Sequence, residues 1–431
     1  MSLPDLRTEN DTVAGMWNNW ITSLVTNYSI DGLRIDSCIE VDQAFFPGFE
    51  SSAGVYAVCE AFNGDPSVVC PYQSYVSGMM NYPAYYWVTQ AFESTSGSIS
   101  NLYNGINGMK SDCADTTLLG SFLENHDNPR FPSYTSDYSL DKNAVGYVML
   151  ADGIPIIYEG QEQHFSGGSV PNNREVIWTT GYATTDPMFS HITTLNTLRN
   201  WAIKVDSGYA TYKLYPIYQD GNTIATRKGT DGTQMIGVFS NLGSGGSEYT
   251  LTLSGTGYTS GQVVMEIFTC TEVTTDSSGD IAVPMASGLP RVFYPVSALS
   301  GSGICSQGTS ISTTSTSTSS GSTSRATATS VAVTFNELVN TNFGETIKIS
   351  GSTTQLGLWN TDDAIALSAA NYTENDPLWF VTILLPAGQS MQYKFINVAT
   401  DGTVTWQDGD NLEYTVPTGC STTATVNNTW V

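Results

Sequence analysis

Basic residues are scarce in this chain of 431 residues, which has 15 lysines and arginines against 40 aspartates and glutamates and a formal net charge of −25. Binding to nucleic acid requires clustered basic side chains that neutralise phosphates, so this composition excludes nucleic acid as the expected partner. An anionic membrane surface is disfavoured for the same reason. The acidic balance instead suits an uncharged substrate.

Long apolar runs are also absent, and the chain therefore is not expected to span a membrane. Its opening, MSLPDLRTEN, lacks the apolar core of a secretory signal, which indicates either a trimmed signal or an incomplete N-terminus. None of the seven cysteines forms a CxxC pair, which disfavours a zinc site. Widely spaced cysteines in a Ser/Thr-rich chain, together with Asn-x-Ser/Thr sites such as Asn10 and Asn371, predict a secreted, extracellular protein with disulfides.

Secondary-structure signals divide the chain into four parts. Residues 1–206 alternate helical segments with short apolar strands, which predicts a parallel α/β layer. Residues 207–305 show short alternating strands separated by glycines, a pattern typical of an antiparallel β domain. Residues 306–328 are a Ser/Thr-rich linker that cannot bury a core, and residues 329–431 predict a compact β-sandwich.

Three strands of the first part end on an acidic residue: GLRID at Asp36, YAVCE at Glu60 and FLENHD at Asp127. In a parallel barrel the C-terminal ends of the strands converge on one rim, so these acids are expected to share a pocket. Two carboxyl groups that face each other across a sugar bond perform glycoside cleavage. Arg34, two residues before Asp36 on the same strand face, would favour the ionised form of a nucleophile there.

The motifs GLRIDS, ENHDNPRF, DGIPIIYEGQEQ and GLPRVFYP resemble those of the fungal secreted α-amylases of glycoside hydrolase family 13. The resemblance extends to Cys305 and implies retaining hydrolysis of internal α-1,4-glucosidic bonds. It assigns Asp36 as the nucleophile, Glu60 as the acid/base and Asp127 as the transition-state stabiliser. Residues that the resemblance places against the sugar are Arg34, His126 and Arg174.

The predicted sugar cleft departs from the family pattern on both sides. Ile39 and Glu40 stand where the family has a lysine and a histidine, and Asn63 and Val170 replace two aspartates. Glu40 and Asn63 are still expected to line the substrate. The changes indicate either tolerated drift in sugar contacts or an altered balance between water and sugar as acceptor, as in a 4-α-glucanotransferase. A third alternative is a non-catalytic starch-binding remnant.

The resemblance begins just before the fourth strand of the family's barrel, which implies a TIM-type α/β barrel that is incomplete at its N-terminus. Asp5 and the backbone carbonyl of Glu40 match two ligands of the family's calcium ion, which takes six to eight oxygens, so the site is expected to be incomplete. The resemblance also implies two disulfides, Cys70–Cys113 and Cys270–Cys305. Cys38 and Cys59 lie on adjacent predicted strands and are either a further disulfide or two free buried thiols.

The last part of the chain resembles the starch-binding modules of carbohydrate-binding family 20 over its full length. Trp359 and Trp406 match the paired tryptophans of one binding site, where aromatic faces stack on sugars. The remaining matches to the module's binding residues are Lys394, Asn411, Tyr372 and Trp379, of which Trp379 is as readily a core residue. The expected partners are starch and α-1,4-glucans, the expected state is a monomer, and Cys420 is expected to be unpaired.

Overall fold

The computed structural model describes residues 6–306 and 330–430, except residues 343, 362, 370–371, 374–376 and 419–422. These residues form two compact units, residues 6–306 and residues 330–430. Among the described helices, none combines the length and the apolar character that a membrane crossing demands.

A parallel sheet of five strands forms the centre of the first unit, in the order in which the strands follow along the chain. Strands that are covered on both faces are mostly apolar, and every residue of the fourth strand, including its single serine, is buried. The predicted parallel α/β layer is thereby confirmed, with five strands where a closed barrel has eight. The strands are β1 (Gly32–Ile35), β2 (Tyr56–Cys59), β3 (Gly78–Met80), β4 (Leu119–Phe122) and β5 (Ile154–Ile156).

In the described part of the chain, seven α-helices connect and flank these strands, and the sequence marks where several of them begin. The side chain of Asn10 accepts hydrogen bonds from the backbone amides of Thr12 and Val13, which caps the first helix. Asp186 caps the last helix in the same way, ahead of a proline at its first position. The helices are α1 (Asp11–Tyr28), α2 (Phe46–Ala53), α3 (Pro66–Val69), α4 (Tyr82–Phe92), α5 (Ile99–Asp112), α6 (Tyr138–Leu150) and α7 (Pro187–Val205).

An antiparallel β domain completes the first unit, as the alternating strands of this part predict. Six strands form one sheet in the order β11-β10-β13-β8-β7-β6, and β9 pairs with β12 in a second sheet. The two sheets enclose a core that includes Val238, Leu253 and Phe293. The strands are β6 (Tyr215–Gln219), β7 (Thr223–Lys228), β8 (Met235–Ser240), β9 (Tyr249–Leu253), β10 (Val263–Glu266), β11 (Thr271–Thr274), β12 (Ile281–Met285) and β13 (Arg291–Pro295).

Two sheets that share one apolar core form the second unit, which confirms the predicted sandwich. One sheet has the order β17-β14-β21, and the other has the order β16-β15-β18-β19, with β20 also pairing with β18. Phe335, Tyr393 and Phe395 lie at the centre of the core. The strands are β14 (Ser330–Leu338), β15 (Thr346–Gly351), β16 (Ile365–Ala366), β17 (Leu378–Pro386), β18 (Ser390–Val398), β19 (Val404–Trp406), β20 (Leu412–Thr415) and β21 (Thr423–Thr429).

Three disulfides are present in the described residues, all in the first unit. Cys70–Cys113 and Cys270–Cys305 form as the resemblance implies. The open question of Cys38 and Cys59 is resolved in favour of a disulfide, with their Cα atoms 5.9 Å apart. Cys420 lies outside the described residues.

Candidate active site

The ends of β1 and β2 bring Asp36 and Glu60 next to each other. The two strands pair in parallel with Ile35 opposite Cys59, and each acid is the next residue along its strand. The backbone amide of Glu60 donates to the carbonyl of Ile35 at 2.8 Å, which extends the pairing one step to the site. The Asp36 side chain is 71% exposed, whereas that of Glu60 is buried.

Arg34 binds both of these acids with one guanidinium group. Its Nη1 pairs with Asp36, and its Nη2 lies 2.9 Å from Glu60 Oε1. The pKa of Asp36 is lowered, chiefly by the hydrogen bond from Arg34, with smaller contributions from Ser37 and Glu60. The predicted contact between Arg34 and Asp36 is therefore present, and the shared contact with Glu60 is an addition that the sequence did not indicate.

Tyr82 is a member of the site that sequence reasoning missed. Its hydroxyl donates to Glu60 Oε1 at 3.1 Å and accepts from Asn125 Nδ2 at 3.0 Å. Burial is the first cause of the raised pKa of Tyr82, followed by the charges of Glu60 and Asp127. The position of Tyr82 in the chain could have indicated this role. Tyr82 begins α4, which follows β3, and residues after the end of a parallel strand lie at the same rim.

Asp127, beyond the end of β4, is held by two basic side chains. His126 Nε2 lies 3.2 Å from Asp127 Oδ2, and Arg174 Nη2 donates to Asp127 Oδ1 at 3.1 Å. Arg174 also fixes the loop, since its Nε donates to the carbonyl of His126 at 2.8 Å. Asn173 reinforces this loop by donating to the carbonyls of His126 and Asn128, each at 3.0 Å.

Glu124, the first polar residue of the ENHDNPRF stretch, lies behind the rim and has a structural role. It is fully buried, where it accepts a hydrogen bond from the Phe131 amide at 2.9 Å and contacts Arg130 at 3.2 Å. Burial raises the pKa of Glu124 to about 7. The polar run therefore divides into an outer part that lines the site and an inner pair, Glu124 and Arg130, that holds the loop.

The residues predicted at the two rewritten sides of the cleft are at least partly exposed to solvent. Glu40 is exposed in a 3₁₀ turn, Cys38–Glu40, that follows Asp36. Asn63 accepts a hydrogen bond from the amide of Asp65 at 2.8 Å, which shapes the loop after β2. Val170 is 58% exposed. Contact of Glu40 and Asn63 with a sugar stays a prediction.

The described residues contain few of the ligands expected for the calcium ion. Asp5 lies outside them, and Glu40 offers its backbone carbonyl. The described part of the chain contains no group of three or more His, Cys, Asp and Glu side chains arranged to hold a metal. Because calcium takes six to eight oxygens, these residues do not form the site by themselves.

In the second unit, Trp359 and Trp406 come together as predicted. Their ring centroids are 6.1 Å apart with the planes inclined at 47°, and both rings are half-buried. Lys394 supports the loop after Trp406, since its Nζ donates to the carbonyls of Gln407 at 3.1 Å and Gly409 at 2.7 Å. Asn411 donates to Gln392 at 3.3 Å.

The prediction that Trp379 contacts starch is wrong, because this side chain belongs to the core. Trp379 is buried between the sheets, and its ring packs edge-on against Tyr372, with centroids 6.4 Å apart. Tyr372 is half-buried, and its hydroxyl accepts from the Thr341 amide at 3.3 Å.

Two carboxyl groups that face each other at the rim of a parallel sheet are the arrangement that glycoside hydrolases use. Three family models match the chain: "Alpha amylase, catalytic domain" over residues 1–213, "Alpha-amylase, domain C" over 216–314 and "Starch binding domain" over 330–426. The chain belongs to the alpha-amylase family and carries a starch-binding domain after domain C.

Individual relatives agree with these models. The chain is 58% identical over 304 residues to alpha-amylase 1 of Lipomyces kononenkoae, covering 70% of this chain and 49% of that protein. It is 50% identical over 307 residues to alpha-amylase 1 of Schwanniomyces occidentalis, covering 71% of this chain and 60% of that protein. A solved alpha-amylase from Malbranchea cinnamomea matches with a TM-score of 0.68 and 45% identity, covering 70% of this chain and 64% of that one. The chain thus spans about half to three-fifths of the length of these curated relatives.

Proposed function

We propose that this chain hydrolyses internal α-1,4-glucosidic bonds of starch and related glucans with retention of configuration. Asp36 acts as the nucleophile and Glu60 as the acid/base. The observation that carries the proposal is the guanidinium of Arg34, which binds both carboxyl groups at the ends of adjacent strands. Retaining glycosidases need two carboxyl groups at a short separation of roughly 5–5.5 Å, and a shared cation supports such proximity.

In the first step, Asp36 attacks the anomeric carbon while Glu60 donates its proton to the departing glycosidic oxygen. The C–O bond of the substrate breaks as a covalent bond to Asp36 forms. The lowered pKa of Asp36 keeps the nucleophile ionised. In the second step a water molecule gives its proton to Glu60 and displaces Asp36, which restores the original configuration.

Asp127 stabilises the positive charge that develops at the sugar ring in both steps. Its side chain is 35% exposed at the rim, where a substrate can reach it. His126 and Arg174, which hold Asp127, also present hydrogen-bond donors to sugar hydroxyls. The side chains of Glu40 and Asn63 line the acceptor side in this proposal.

Secretion, calcium binding and a monomeric state complete the proposal. Three disulfides in the described residues support an oxidising compartment outside the cell. Calcium binding through Asp5 and the carbonyl of Glu40 remains a prediction.

The test is product analysis after incubation of the full chain with maltopentaose. Hydrolysis yields only shorter sugars, with the α-anomer formed first, as seen by proton NMR. Products longer than maltopentaose would assign the chain as a 4-α-glucanotransferase, which the replacements at Ile39, Glu40 and Asn63 favour. No turnover together with retention on granular starch would assign it as a binding protein and overturn the enzymatic proposal.

Granule binding is expected to depend on the paired tryptophans of the second unit. The double substitution Trp359→Ala, Trp406→Ala removes both stacking surfaces and should weaken adsorption to raw starch ~10-fold or more, about 1.4 kcal/mol. Sedimentation of the full chain with starch granules measures it. Trp20→Ala is the matched control, since Trp20 is 50% exposed but lies on α1 of the first unit. Equal loss of binding in the control would contradict the assignment.

A further inference from the structure

The disulfide Cys38–Cys59 encloses the two carboxyl residues of the site. Cys59 is the last residue of β2 and directly precedes Glu60, and Cys38 lies two residues after Asp36. Both cysteine side chains are completely buried, in the apolar cluster that also contains Ala57, Ala61 and Met79. The sulfur bridge therefore lies beneath the rim, on the side of the acids away from the solvent.

Strand pairing alone does not fix the position of Asp36. The register of β1 and β2 ends at Ile35 opposite Cys59, and Asp36 is the first residue beyond it. Ser37 then takes a left-handed backbone conformation, with φ of 51°, and the chain turns away into the Cys38–Glu40 turn. The 71% exposed Asp36 side chain has little packing of its own to hold it.

Three contacts tie this turn back to the Glu60 segment. The amide of Cys38 donates to the carbonyl of Glu60 at 2.8 Å, and the amide of Ser37 donates to Glu60 Oε2 at 3.2 Å. The disulfide is the third contact and the only covalent one of the three. Asp36 is thus anchored on one side by β1 and on the other by Cys38.

We propose that the Cys38–Cys59 disulfide is a positioning device that sets the separation of the Asp36 and Glu60 carboxyl groups. The inference rests on the proposed function. Double displacement tolerates little error in this separation, since a misplacement of 1 Å at a reacting group can cost ~10²-fold in rate. A covalent link two residues from one acid and one residue from the other limits that error directly.

The competing explanation is that Cys38–Cys59 only stabilises the fold. A second disulfide of the chain provides a matched control. Cys270–Cys305 lies in the antiparallel domain and joins residues 35 apart, against 21 for Cys38–Cys59. A general effect on the unfolded state grows only slowly with loop length, so both disulfides should stabilise the fold to a similar extent. Only the removal of Cys38–Cys59 should alter the chemistry.

The experiment compares the full chain carrying Cys38→Ala, Cys59→Ala with the full chain carrying Cys270→Ala, Cys305→Ala, at a temperature where circular dichroism shows both to be folded. We expect kcat on maltopentaose to fall ~10- to 100-fold in the first variant with KM nearly unchanged. The second variant should keep the kcat of the wild-type chain. Equal kcat values in the two variants would overturn the proposal. Should the alanine pair not fold, Cys38→Val, Cys59→Val refills the apolar volume and is tested in its place.

A second readout does not require turnover. The ¹³C signal of the Asp36 carboxyl, assigned by its absence in Asp36→Asn, gives the pKa of Asp36 in each variant. Its pKa should rise when Cys38–Cys59 is removed, because the contacts with Arg34 and Glu60 loosen, and should stay unchanged without Cys270–Cys305. An unchanged pKa in both variants would overturn the positioning role. If the two variants show this pattern of pKa values but the wild-type chain hydrolyses nothing, the proposed function is refuted and the positioning role stands.

Discussion

Asp36→Ala should lower the rate at which the full chain hydrolyses α-maltosyl fluoride by ~10⁴-fold or more, the scale on which loss of a covalent nucleophile acts in other enzymes. Fluoride leaves without help from an acid, so the same substrate should be far less sensitive to Glu60→Ala in its first step. The comparison therefore separates the two roles that the paired carboxyl groups could share. Fluoride release measured with an ion-selective electrode gives both rates.

Added azide should restore turnover in both variants, but with opposite stereochemistry. In Asp36→Ala, azide takes the place of the missing nucleophile, displaces fluoride with a single inversion and yields β-maltosyl azide. In Glu60→Ala, the covalent intermediate on Asp36 still forms, and azide displaces it with a second inversion to yield α-maltosyl azide. If the two variants gave the reverse pair of products, the assignments of Asp36 and Glu60 would have to be exchanged.

The outline of the site could be predicted because its parts follow from strand ends. Asp36 and Glu60 come directly after β1 and β2, Asp127 lies in the turn that follows β4, and parallel strands deliver such residues to one rim. Glu124 shows the limit of that argument. It also follows a strand, but whether the next side chain points to the rim or into the core depends on the loop that returns over it, and Arg130 is the residue that holds Glu124 inside.

Tyr82 could not be placed from the sequence because it lies in a largely apolar helix, whereas the alternation of a strand bears on Trp379. Tyr82 lies in the helix YPAYYWVTQAF, and only the packing of α4 against the sheet turns its hydroxyl toward Glu60. In β17, alternation predicts that Trp379 shares a face with Val381, Ile383 and Leu385. The opposite face begins with Leu378 and Phe380 but also carries Thr382, so alternation favours the face of Trp379 as the core.

The Cys38–Cys59 disulfide depended on register, which the sequence does not contain. The cysteines were predicted on neighbouring strands, where a shift of one residue would have directed Cys59 to the opposite face. The observed pairing of Ile35 with Cys59 brings the Cα atoms of Cys38 and Cys59 to 5.9 Å, a distance that a disulfide can span. The same register places Asp36 and Glu60 at neighbouring strand ends, and the disulfide then anchors the turn that follows Asp36.

Arg34→Gln should lower kcat/KM ~10²-fold or more and shift its dependence on pH, because Arg34 is the cation that both acids share. The pKa of Asp36 is held below its usual range chiefly by this arginine and should rise when the arginine is lost. A nucleophile must be ionised, so activity disappears as the pH falls through its pKa. A higher pKa therefore moves the acidic limb of the profile to higher pH.

A pH profile of kcat/KM on maltopentaose from about pH 3 to pH 8 measures this shift, since the usual pKa of an aspartate lies near ~3.9. Arg174→Gln is the control. It also removes a cation, but Arg174 Nη2 lies 3.1 Å from Asp127 Oδ1 and binds that acid. That variant should lose activity without moving the acidic limb. If Arg34→Gln and the wild-type chain had the same acidic limb, Arg34 would not be the group that keeps Asp36 ionised. The arginine that the two acids share would then be a structural feature of the strand ends and not part of the chemistry.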